Sequence, residues 1–275
     1  MGDFRRLLSR AIQLAERVEA LSASDSNPIP TADSGAAGAP ASITMPTHHS
    51  YTLGMYARAR SYFRATLVLA KDGLADEALA LGRSLFEDSL RLAVLAKLDD
   101  EVDRIDGLIG WLLDGVRRAI GLFQEAERLG VGDDHQLVIS HFEAERRKMV
   151  GYRGRRGSGR KASAIFSEQQ LKKAALNDGR SGGWWLHEVG DQMVHGNYFA
   201  HRLRHASADD GIARVAIRDP HPGALVDVVA YAVESVAVSH QSICAILDLP
   251  TMPELDDVVS ALERVQADIS GTSAP

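Results

Sequence analysis

The chain has 275 residues, of which 45% are hydrophobic and 25% charged, and its formal net charge is −6. That length can bury a sizeable core, and the acidic balance argues against wholesale nucleic-acid binding while leaving room for a local basic patch. The single cysteine, Cys244, excludes an intramolecular disulfide framework and a thiolate zinc cluster, so a reducing cytoplasm is the expected compartment.

Residues 3–21 form the first predicted helix. Leu7, Leu8, Ala11, Ile12, Ala15 and Val18 recur at helical spacing, and Arg5, Arg6, Arg10 and Arg17 interrupt any signal-peptide core. Residues 22–47 turn to Ser, Ala, Gly, Pro and Asp, a composition too polar to offset ordering entropy, and read as a flexible linker. The segment 1–21 is therefore expected as a tethered helix that docks on the body, pairs with a second subunit or recruits a partner protein.

The main domain is expected over 48–270, with a disordered tail at 271–275. Helical period and length predict helices near 48–72, 74–98, 101–129, 133–150, 167–178, 184–205, 224–248 and 254–269. Gly73 and 130–132 mark borders, and Ser167 with Gln170 makes a capping-box pattern. Only 213–217 reads as extended. The fold class is all-α, a helical bundle around two helices, 74–98 and 224–248, that are apolar almost all round and so belong inside. No run reaches the ~18 uncharged apolar residues of a membrane span, and no membrane association is expected.

Polar residues within these apolar segments are the candidates for chemistry. Arg83 and Glu87 lie four apart, on a face shared with Leu79, Phe86 and Leu90. In the 184–205 helix, Glu188, Asp191, His195 and Tyr198 fall within about 40° of Trp184 on a helical wheel. Asp191 one turn from His195 can fix the imidazole tautomer and raise its basicity, which orients a general base and equally satisfies a structural histidine. His187 and His195 are about 12 Å apart along a helix, too far to share one ion. Asp191 and His195 could hold an ion with Glu87 from another helix, but His187-Glu188-x-x-Asp191 lacks the second histidine of the zinc-protease motif, and no metal is expected. Nor is another cofactor, since phosphate-cradling and dinucleotide motifs are absent, and there is no hydrolytic nucleophile elbow. Between 146 and 161 stand eight cations and no acid: Arg146, Arg147, Lys148, Arg153, Arg155, Arg156, Arg160 and Lys161. With Gly151, Gly154, Gly157 and Gly159 interleaved, the stretch reads as a mobile basic loop able to follow RNA phosphates.

The Arg83-Ser-Leu-Phe-Glu87 helix followed by Asp191-Gln-Met-Val-His195-Gly196 resembles an uncharacterised bacterial helical family with Arg-x-x-x-Glu and Ser/Asp-x-x-x-His-Gly motifs, over roughly 50–245. More distantly, Val194-His195-Gly196 is similar to the end of the Arg-x(4–6)-His motif of the HEPN superfamily, helical bundles that include toxin and antiphage ribonucleases. The family arginine is missing locally, because positions 188–190 hold Glu, Val and Gly; Arg180 and His187 fit the spacing only formally. The resemblance implies a homodimeric protein of a defence or stress system that binds or cleaves RNA without metal. His195 would act as acid or base, Arg83 as the phosphate stabiliser, and Asp191 and Glu87 would support them. The alternative is a noncatalytic interaction or ligand-binding module whose Arg/Glu/Asp/His network is structural.

Overall fold

The structure is a computed structural model that describes residues 2–24, 26–29, 47–132, 134–157, 166–180, 182–184, 186–188, 205–207, 213–215 and 222–272. Among these residues eight helices of ten residues or more dominate: α1 (Gly2–Ala23), α2 (Thr47–Lys71), α3 (Ala75–Ala96), α4 (Glu101–Arg128), α5 (His135–Arg156), α6 (Glu168–Asn177), α7 (Pro222–Leu247) and α8 (Pro253–Thr272). The chain is an all-α helical bundle, as its periodicity requires. α3 and α7 form the centre, and α2 packs on both. Their meeting faces bring Leu85, Phe86 and Leu90 of α3 against Val229, Val233 and Val236 of α7. The most apolar 18-residue window of α7 has the length and composition of a membrane span, and 78% of it is buried within the protein.

Local signals account for the borders. Gly73 and Gly130 follow helix ends with positive φ (77° and 66°), a conformation that costs a side-chain-bearing residue energy. Asp100 caps α4 by accepting from Val102 N–H, and Ser167 Oγ accepts from Gln170 N–H at the start of α6.

Three expectations need correction. The linker is not flexible from its start: the Asn27 side chain donates to the Ser22 carbonyl (2.7 Å) and accepts from Ile29 N–H (3.0 Å), and Ile29 is buried among Met55, Tyr56, Leu92 and Ile243. The apolar area of Ile29 anchors a segment whose composition alone predicts coil, while 30–46 lie outside the described residues. The basic stretch is not a loop up to 156, because α5 runs through Arg156, held by buried Met149 and by two side-chain contacts. Tyr152 Oη lies 2.8 Å from His48 Nδ1, and Arg153 pairs with buried Asp106 at 2.8 Å. Nor does a helix reach 205. His205–Ser207 (β1) pairs antiparallel with Ala213–Val215 (β2), so the ladder satisfies backbone groups that a helix would have bonded internally.

α1 docks on the body. Leu7, Ala11, Ala15 and Val18 are buried against α7 and α8, while Glu16 and Glu19 pair with Lys71 and Arg64 of α2.

Candidate functional site

Residues 83, 87 and 91 recur every fourth position of α3 and so share one helix face. Glu87 is the hub. Arg83 Nη2 and His187 Nε2 each lie 3.1 Å from its Oε1, and Arg91 Nη2 donates to Oε2 at 2.7 Å. Burial pushes the Glu87 carboxyl up, but the His187 hydrogen bond and the Arg91 and Arg83 guanidiniums outweigh it and hold the group down at about 2. A carboxylate held by three donors of this kind stays ionised at any physiological pH.

The network continues inward. Asp88, fully buried, accepts a bidentate pair from Arg58 of α2 (2.7 Å each) and a third bond from Arg91 at 3.0 Å. Arg91 therefore bridges the two adjacent acids. The Trp111 ring of α4 receives both guanidiniums, with Arg91 at 5.0 Å and Arg58 at 5.8 Å from its centroid, and it meets Phe166 edge-on at 5.9 Å.

His187 is 6% exposed. Its ring stacks on Trp184 (4.7 Å, 28°), whose Nε1–H donates to Glu188 at 2.8 Å. With Nε2 on Glu87, its Nδ1 is enclosed and has no partner among the described residues. Beside these groups a cavity of about 180 Å³ is lined by Arg83, Glu87, Arg91, Phe166, Trp184 and Glu188, among others. Two aromatic rings, two guanidiniums and carboxylates thus converge on a space of nucleobase scale.

Arg180 packs on Phe86. It is only 7% exposed: its guanidinium stacks on the Phe86 ring at 4.6 Å, donates to Glu234 of α7 at 2.6 Å and reaches Ser89 Oγ at 3.2 Å. Gly183 makes this packing possible, since a Cβ there would sit 2.8 Å from the Phe86 ring. A separate cavity of about 570 Å³ is lined by Arg180, Gly183 and Leu186 on one side and by residues of α7 and α8 on the other.

Of the residues singled out in the sequence, Arg83, Glu87 and Glu188 meet at the smaller cavity. Asp191, His195 and Tyr198 lie outside the described residues, as do Arg160 and Lys161. Arg155 and Arg156 are exposed on α5, whereas Arg153 is committed to Asp106 and is not a loop cation. Sequence reasoning did not select Arg58, Asp88 or Arg91, and it set Arg180 and His187 aside as a match in spacing alone. The 83–87–91 repeat could have revealed Arg91; the partnership of His187 with Glu87 spans 100 residues and leaves no local trace.

Residues 49–184 match the family model of DUF5677, a family of unknown function. The DUF5677 match covers α2 to α6 and ends at Trp184, so it contains Arg83, Glu87 and Arg180 and stops short of the 191–196 motif. An uncharacterised domain family is thereby found, as expected, over a shorter span than 50–245, without bearing on the two motifs or on the HEPN likeness. No curated protein and no solved structure matches the chain.

Proposed function

We propose that this protein is a HEPN-like RNA-binding protein that receives single-stranded RNA at the Arg83/Glu87/Trp184 cavity and along the cationic end of α5. The observation that carries the reading is the convergence of Arg83 and Arg91 with Trp184 and Phe166 on one cavity, since cations for phosphate beside rings for stacking are what single strands require. The exposed Arg146, Arg147, Lys148, Arg155 and Arg156 add phosphate-binding charge, and Phe166 links that end of α5 to the cavity through the ten residues that follow Arg156. In this reading cleavage belongs to His195 as acid or base, with Arg83 stabilising the phosphate and no metal taking part.

The test is fluorescence anisotropy with single-stranded RNA, followed by incubation in chelator. The expected result is salt-dependent binding whose log–log slope falls by about 2 when Arg146, Arg147 and Lys148 are changed to Gln. Cleavage that survives chelator and disappears in His195→Ala is the catalytic signature. RNA that neither binds nor is cut at high protein concentration refutes the proposal.

A noncatalytic module is the second reading, favoured by one observation. Glu87 is already held by three donors of the protein itself, so its carboxylate is engaged within the structure. Binding without cleavage in wild type and His195→Ala alike selects it.

A further inference from the structure

α4 is longer than the surface it covers. Its first turns face the body through Leu108 and Trp111, which pack with Leu92, Leu95 and Ile243. A second face, carrying Ile105 and Ile109 and continued by Val116, packs on Met149 and Tyr152 of α5, and further along Phe123 meets Phe142. At 100° per residue the phase of Leu108 and Trp111 continues through Gly115, Arg118, Leu122, Glu125 and Leu129, a three-, four-residue alternation on the side of α4 turned away from α5. All five are exposed, Leu122 at 68% and Leu129 at 59%. A packing face thus runs on for more than three turns with no helix of the described residues against it.

We infer that this face of α4 docks on the same face of a second copy of the chain, antiparallel about a two-fold axis at Leu122. The stripe is complementary to its own reverse. Counting outward from Leu122, the seventh residue back is Gly115 and the seventh forward is Leu129, so each large side chain meets the partner's glycine. Arg118 lies four residues back and Glu125 three forward, so each arginine faces the partner's Glu125 and the pair forms twice. Among the described residues of one chain these groups hold exposed local partners: Glu125 pairs with Arg128, and Arg118 reaches the carbonyl of Asp114 at 3.4 Å. A parallel arrangement would set Arg118 on Arg118 and Glu125 on Glu125, which fixes the direction of docking. The contact is independent of the RNA reading, because Glu87 and Trp184 lie on other elements.

The experiment is sedimentation equilibrium on the full chain, with circular dichroism to verify helicity and melting temperature. Wild type is expected to dimerise with a dissociation constant on the order of 10 µM, as suits a small interface. Leu122→Glu is expected to abolish the dimer, and Glu125→Arg to weaken it about tenfold by setting arginines face to face. The double variant Arg118→Glu with Glu125→Arg exchanges the charges and is expected to restore association to within about threefold of wild type. Since these side chains are exposed, the variants keep the wild-type melting temperature; Leu122→Gln serves as the milder replacement if Leu122→Glu does not. A wild type that stays monomeric at about 100 µM, a dimer indifferent to Leu122→Glu, or a double variant no better than Glu125→Arg alone overturns the inference.

Discussion

Replacing Glu87 by Gln keeps the shape of the side chain and removes the charge that three donors share. The carboxyl sits at about 2 against an ordinary value of 4.5, a difference that converts to roughly 3 kcal/mol at 1.36 kcal/mol per unit. Because the side chain is 22% exposed, solvent screening reduces this to about 2 kcal/mol. The sign is that of a depressed acid: the stability is present above 4.5 and is lost as pH falls through about 2. Glu87→Gln is therefore expected to melt about 4–8 °C below wild type at pH 7, measured by circular dichroism. Toward pH 2 the two proteins converge, since the wild-type carboxyl is then protonated as well. An equal melting temperature at pH 7, or a gap that persists unchanged at low pH, refutes the assignment of Glu87 as the ionised hub.

Asp88→Asn leaves Arg58 and Arg91 facing a neutral group at a buried position and should cost about 3 kcal/mol or more, read by chemical denaturation; a loss under about 1 kcal/mol counts against the bidentate pair. Gly183→Ala drives a methyl into the Phe86 ring and is expected to destabilise by about 1–3 kcal/mol, whereas Gly121→Ala, which meets nothing within 4 Å, is neutral or mildly stabilising. His48 is lowered to about 4 by burial, then by His49, so its contribution is present above 6.5 and lost as pH falls toward 4. His48→Gln should flatten the stability profile in that window, and an unaltered profile would leave the acid sensitivity to other groups, His240 among them.

Much of the bundle was legible because apolar periodicity is a local property. α3 and α7 are apolar around their circumference and lie in the centre, while Gly73, Gly130 and Ser167 mark ends through conformations and caps that the residues themselves require. The misreadings have the opposite character. The glycines near 151–157 suggest a loop, yet α5 persists because Met149, Tyr152 and Arg153 grip α4 and α2, contacts made by residues dozens of positions away. Arg83 with Glu87 was visible as a helical pair. That His187 completes it depends on how the chain returns after α6, and no spacing rule encodes that.

The seating of α1 sets an order on assembly. Its apolar face rests on α7 and α8, which begin about 200 residues later in the chain. At typical translation speeds of roughly 5–20 residues per second, the face waits tens of seconds for its cover. During that interval Leu7, Ala11, Ala15 and Val18 are available to chaperones or to neighbouring nascent chains, and closure of the bundle is a long-range, late event. Truncating α8 would consequently expose the opposite end of the sequence and turn α1 into the adhesive part of an unfinished chain.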